Sequence, residues 1–150
     1  MTRTMHILCV CLGNICRSPM AEGAVRKAAA DARLDWLVDS AGTGAWHVGN
    51  PPDSRGLASA AARGYDNSGQ RARQVTAADF TSFDLILAMD ASNHANLSRM
   101  APAGATAVIE MLDPEGRDVP DPYYGGPNGF ETTLDMIEEA AAALVARHIG

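Results

Sequence analysis

A chain of 150 residues suits one compact domain with a sizeable core. Its 12 lysines and arginines against 18 aspartates and glutamates leave a net charge of −6, the wrong sign for a protein that grips a phosphate backbone. No apolar run approaches a membrane span and no cleavable leader stands out, so neither a nucleic-acid nor a membrane partner is expected. The three cysteines fall within residues 9–16, too close together for a secreted disulfide framework, and a reducing cytoplasm is the expected compartment.

In chain order, Met5–Cys11 is a near-continuous apolar run with β-branched members, as in a strand buried on both faces. A loop with Gly13 and Asn14 follows. Ser18 then reads as an N-cap, with Pro19 in the first turn of a helix that carries Ala21, Ala24, Val25 and Ala28 at helical spacing. Trp36–Ala41 is a second strand, ended by Gly42-Thr-Gly44, and a long loop runs through Pro51 and Pro52. Leu57–Arg63 is expected to be helical up to Gly64. Phe83–Met89 is a third strand, Asp90–Met100 a helix and Ala107–Leu112 a fourth strand. A Pro/Gly/Asp-rich loop covers Asp113–Asn128. In the final helix Phe130, Leu134, Ile137, Ala141, Leu144, Val145 and His148 share one face, behind an Asn128/Glu131 capping box. Strands alternating with helices imply an α/β fold of three layers, Rossmann-like, with a mainly parallel four-stranded sheet flanked by helices. Ligands of such sheets sit beyond the carboxyl ends of the strands, where Cys11 lies.

A strand, a tight loop and a helix start make an anion cradle. The loop is no Walker A sequence, since GxxxxGK is absent, and Gly42-Thr-Gly44 is no dinucleotide fingerprint, since His47 holds the third glycine position. Arg17, six residues after Cys11, supplies a rigid fork for phosphate oxygens. The same positive surroundings favour thiolate over thiol, which makes Cys11 a nucleophile aimed at the held anion. Free cysteine is often only a small buried hydrophobe, and Cys9, inside the strand, is read that way. For Cys11 the strand before it, the spacing to Arg17 and the Ser-Pro helix start tip the balance. A metal on Cys9, Cys11 and Cys16 is not expected: no fourth ligand is near in sequence, and Arg17 would repel a cation.

Cys11-Leu-Gly-Asn-Ile-Cys-Arg-Ser-Pro19 resembles the signature loop of the low-molecular-weight protein-tyrosine phosphatases. Ser40-Ala-Gly-Thr-Gly-Ala-Trp46, Ala72-Arg-Gln-Val75, Asp84-Leu-Ile-Leu-Ala-Met-Asp90 and Asp121-Pro-Tyr-Tyr-Gly125 also sit where that family has counterparts. The resemblance implies hydrolysis of phosphotyrosine, and of small aryl phosphates, through a cysteinyl-phosphate on Cys11. It implies no cofactor, a phosphotyrosine protein as partner and inorganic phosphate as product and inhibitor. Arg17 and the N–H groups of Leu12, Gly13, Asn14, Ile15 and Cys16 would hold the phosphoryl oxygens, and Asp121 would act as general acid and then base. Ser18 would hydrogen-bond the Cys11 sulfur. Ser40 and Asn14 would brace the loop, with Asn14 in a left-handed conformation. Asp90 would support Arg17 or cap the following helix.

Trp46, Tyr123 and Tyr124 would wall a pocket deep enough for a phosphotyrosine ring. His47 is adjacent to them. Gln70 departs from the family pattern, in which many members have a histidine that braces the loop. Cys16 would form a reversible disulfide with Cys11 that protects the nucleophile from over-oxidation. Three alternatives stand beside this reading. A protein-arginine phosphatase typically has threonine where this chain has Ile15. A thiol-dependent arsenate reductase needs relay cysteines, and none follows Cys16. A non-catalytic phosphotyrosine-binding module would lack Cys11 or Asp121.

Overall fold

The structure, a computed structural model, describes residues 4–124, 126 and 128–149, and of Tyr124 the backbone only. Four strands, β1 (Met5–Cys11), β2 (Trp36–Gly42), β3 (Leu85–Ala88) and β4 (Val108–Met111), form a sheet of order β2-β1-β3-β4 in which every pair is parallel. Helices α1 (Arg17–Asp31), α2 (Ser54–Ala62) and α5 (Gly129–Ile149) are associated with one face, and α3 (Asp79–Ser82) and α4 (Ala91–Met100) with the other. This is the expected α/β architecture.

The central strand β1 explains the two-sided core. Ile7, Cys9 and Cys11 alternate into one hydrophobic cluster with Val25 of α1 and Leu134, Ile137 and Leu144 of α5. Leu8 and Val10 point the other way, into a cluster with Phe80 of α3, Ile86 of β3 and Leu97 of α4. A period of two on a strand covered on both sides requires apolar residues at every buried position, and Ile7–Cys11 supplies them. Cys9 is fully buried, and burial pushes its thiol far up, which suits the inert packing role.

Several boundaries differ from expectation for local reasons. Helix α1 begins at Arg17, so Ser18 is inside it and is not the N-cap; Cys16 holds that position with no side-chain cap bond. The Ser18 hydroxyl is therefore free for another use. Helix α2 starts three residues earlier than expected, because Asp53 caps it by accepting from Arg55 N at 2.9 Å. The short α3 was not foreseen; four residues inside a loop leave no periodic signal. Asp90 caps α4 by accepting from Asn93 N at 2.7 Å. The Asp113–Asn128 loop contains a 3-10 turn at Pro122–Tyr124. Among the described residues, no helix is long and apolar enough to cross a membrane.

Candidate active site

The carboxyl end of β1 delivers Cys11 to the start of the signature loop, and α1 begins at its other end. The loop is folded tightly against β2. Thr43 N donates to Cys11 O at 3.0 Å and Gly44 N to Leu12 O at 2.9 Å. A β-carbon at position 42 would stand 2.7 Å from Leu12 O, so only glycine allows this approach. Asn14 takes φ +58°, the left-handed conformation that asparagine tolerates. The N–H groups of Leu12, Gly13, Ile15 and Cys16 find no acceptor among the described residues. Asn14 N instead donates to Cys11 Sγ at 3.3 Å.

A second donor reaches the sulfur. Ser18 Oγ is 3.0 Å from Cys11 Sγ, and that oxygen already accepts from Asn14 Nδ2 at 2.8 Å. Asn14 Nδ2 also donates to Ser40 Oγ at 3.0 Å, while Asn14 Oδ1 accepts from Arg73 N at 3.0 Å. All hydrogen-bonding groups of the Asn14 amide are thus engaged, which holds the strained residue in place. Ser40 Oγ in turn donates to Glu22 Oε1 at 2.8 Å, and Glu22 Oε2 accepts from Arg26 Nη2 at 2.5 Å. Arg26 also donates to Val38 O at 2.6 Å. A buried carboxylate, Glu22, thereby ends a chain of donors that leads back to the sulfur.

Gln70 stands one step outside this chain. Its Nε2 donates to Pro19 O at 3.2 Å and Asn67 Oδ1 at 3.4 Å, so it touches the loop network only through α1. Its Oε1 is buried and has no partner among the described residues.

Arg17 is 4% exposed. Its Nη1 donates to Asp90 Oδ2 at 2.6 Å and to Val119 O at 3.1 Å, which leaves Nη2 facing Asp121 Oδ2 at 3.8 Å. Burial works against its charge. The Asp90 hydrogen bond and the neighbouring Cys11, Asp90 and Asp121 outweigh that, and its pKa stays above the ordinary arginine value. Asp90 therefore both supports Arg17 and caps α4. Asp121 is half exposed, and Tyr123 N donates to its Oδ1 at 3.0 Å, which fixes the carboxylate with Oδ2 turned toward Arg17.

These groups open on a cleft of about 420 Å³. Cys11, Arg17 and Asp121 line it together with Ile15, Cys16, Leu12 and Gly13. Trp46, Tyr123 and His47 also line it. Asn14, Ser18, Ser40, Gln70 and Asp90 are not on its wall and lie behind it or beside it. The side chain of Tyr124 lies outside the described residues. All three cysteines are free thiols, and burial pushes the Cys16 thiol up to about 12.

Sequence reasoning missed Glu22, Arg26 and Arg73. For the first two a signal existed: Ser18, Glu22 and Arg26 recur at i, i+4 and form one stripe of α1 that runs from the sulfur outward. Arg73 acts through its backbone, which no side-chain pattern reveals.

A thiol, a guanidinium and a carboxylate converge on one cleft at the carboxyl end of a parallel sheet, an arrangement suited to nucleophilic attack on a held anion. Residues 6–149 match the family model described as low molecular weight phosphotyrosine protein phosphatase. The protein of that name from Schizosaccharomyces pombe is 48% identical over 139 residues, 87% of this chain and 88% of its own. Among solved structures, YfkJ from Bacillus subtilis is similar with a TM-score of 0.88 at 42% identity, covering 97% of this chain and 94% of its own. DARP, a drosophila arginine phosphatase, has a TM-score of 0.90 at 35% identity, covering 96% and 98%. The chain belongs to the low molecular weight phosphotyrosine protein phosphatase family.

Proposed function

We propose that the chain acts as one domain that hydrolyses phosphotyrosine in proteins, and small aryl phosphates, with Cys11 as nucleophile. The observation that carries this is the convergence of Cys11, Arg17 and Asp121 on a cleft whose walls include Ile15, Trp46 and Tyr123. Those walls suit an aromatic ring above the phosphate.

In the first step the Cys11 thiolate attacks phosphorus, and the tyrosine oxygen leaves with the proton of Asp121. A cysteinyl-phosphate and free tyrosine result. In the second, Asp121 as carboxylate takes a proton from water, whose oxygen attacks phosphorus, and the sulfur leaves as thiolate with inorganic phosphate. The Arg17 guanidinium and the N–H groups of Leu12, Gly13, Ile15 and Cys16 stabilise the charge on the equatorial oxygens in both steps. Ser18 stabilises the sulfur anion each time it forms; Asn14, Ser40 and Asp90 keep loop and guanidinium in place. Every proton and electron pair is accounted for without a metal or cofactor. Inorganic phosphate, the product, competes for the same cradle. A cytoplasmic setting keeps the nucleophile reduced.

Phosphate release from phosphotyrosine, phosphoarginine and phosphoserine peptides tests the reading. Turnover of phosphotyrosine alone, abolished in Cys11→Ser, is expected. Preferential turnover of phosphoarginine would make the chain a protein-arginine phosphatase. No turnover by the reduced protein would make it a binding module.

A further inference from the structure

A second cleft, of about 340 Å³, lies beside the first and shares Leu12 and Trp46 with it. Thr43, Asn96, Arg99 and Met100 line the rest, so its outer wall is the last turn of α4. The two clefts are held in a fixed relation by the Thr43 and Gly44 bonds to the carbonyls of Cys11 and Leu12. Trp46 is 73% exposed, yet its indole is seated on Gly44, where a β-carbon would stand 1.9 Å from the ring. The ring is therefore a ridge common to both clefts. Leu12 and Met100 are exposed beside it. Exposed apolar side chains gathered at the mouth of a reactive site mark a contact surface.

The charge of this cleft is specific. The Arg99 guanidinium meets the side-chain oxygen of Asn96 and, among the described residues, forms no ion pair. Other arginines near the site are neutralised: Arg55 by Asp53, and Arg73 by Asp39 and Asp79. In a chain of net charge −6, an uncommitted guanidinium next to the substrate entrance selects for negative charge in what enters. Its place in the last turn of α4 also complements the helix dipole, but that role would not discriminate between substrates.

We propose that this cleft is a specificity subsite for an acidic side chain of the substrate protein, close in sequence to the phosphotyrosine. The carboxylate pairs with Arg99, and its methylene stem lies on Leu12, Trp46 and Met100. The proposal rests on the phosphotyrosine reading and adds to it a preference among phosphotyrosine sites.

The test is a phosphotyrosine peptide series in a Gly/Ser background, with glutamate or lysine at each of three positions on either side. Values of kcat/KM are measured for wild type, Arg99→Ala and Arg99→Glu, with p-nitrophenyl phosphate as a substrate too small to reach Arg99. In wild type, glutamate on one side of the phosphotyrosine should raise kcat/KM about threefold to tenfold. Arg99→Ala should erase that gain and Arg99→Glu should turn it into a preference for lysine, with p-nitrophenyl phosphate turnover unchanged in all three. A glutamate preference that survives Arg99→Glu, or none in an active wild type, overturns the subsite alone. A wild type inactive on every peptide and on p-nitrophenyl phosphate overturns the phosphatase reading and the subsite with it.

Discussion

Ser18 Oγ stands 3.0 Å from Cys11 Sγ and accepts from Asn14, and once Cys11 is a thiolate, which can only accept, the Ser18 proton is directed to the sulfur. Behind it, the remaining donors and acceptors are fixed in turn. Glu22 can only accept, so Ser40 donates to it; Ser40 then accepts from Asn14, and Asn14 also supplies Ser18. A carboxylate buried in α1 thus orients the Ser40 hydroxyl, and Ser40 and Ser18 together hold the Asn14 amide beside the nucleophile. The same stripe of α1 carries both ends of the relay.

Replacement of Ser18 by alanine should remove one hydrogen bond to the sulfur anion and one acceptor of the Asn14 amide, but no helix cap, since Cys16 holds that position. A hydrogen bond to a charged group is worth roughly 1.5–3 kcal/mol, so kcat should fall about tenfold to hundredfold. Steady-state kinetics on p-nitrophenyl phosphate would show it, with a smaller change in KM. An unchanged kcat would mean that the Ser18 proton does not serve the sulfur.

Glu22→Ala should act on stability as well as rate. The Ser40 hydroxyl, buried, would lose its acceptor, and its hold on the Asn14 amide would loosen. Arg26 is half exposed and can turn to water, which limits its share of the loss. A cost of about 1–3 kcal/mol in urea unfolding is expected, together with a lower kcat. Arg26→Ala should cost less in both measurements.

Acid stability should depend on Asp113. Its buried carboxylate accepts from Glu115 N, from Arg117 N and from the Arg117 guanidinium, all at 3.0–3.1 Å. The Arg117 hydrogen bond is the chief cause of a pKa held below the ordinary aspartate value. A depressed folded-state pKa contributes stability above the unfolded value, near ~3.9, and loses it as pH falls through the folded one. Stability conferred by this group should therefore be complete at neutral pH and fade below about pH 4. Asp113→Asn should lower the thermal midpoint at pH 7 and narrow the gap to wild type in strong acid. An equal gap at both pH values would remove Asp113 from the account.

Cys16 should not compete with Cys11 for electrophiles at neutral pH, because burial keeps it protonated up to about 12. Iodoacetamide at pH 7 should label Cys11 first and phosphate should protect it. After peroxide, Cys11 as sulfenic acid should be attacked by the Cys16 sulfur, releasing water and forming a disulfide that dithiothreitol reverses. Activity that dithiothreitol cannot restore, with no Cys11–Cys16 peptide in the mass spectrum, would exclude this protection.

Much of this architecture was legible from residue pattern. The run Met5–Cys11 announced a doubly covered strand, and the spacing from Cys11 to Arg17 announced a cradle. Asp121 was different: an Asp-Pro turn says little by itself, and only the family resemblance singled it out. Glu22 and Arg26 carry only an i, i+4 spacing in the sequence, because the role of Glu22 depends on Ser40 of β2, which is remote along the chain. Ser18 looked like a cap because serine before proline usually is one; the loop before it instead winds tightly enough to start the helix at Arg17.

Phosphate is expected to pass through the Cys11 sulfur. Rapid acid quench of Asp121→Ala during turnover of p-nitrophenyl phosphate, followed by peptide mass spectrometry, tests it most directly. A leaving group that needs no proton allows the first step, and loss of the Asp121 base slows the second. One phosphoryl group on the Cys11 peptide is the expected result. Turnover with the phosphoryl group on another residue, or phosphate release by Cys11→Ser, would contradict it.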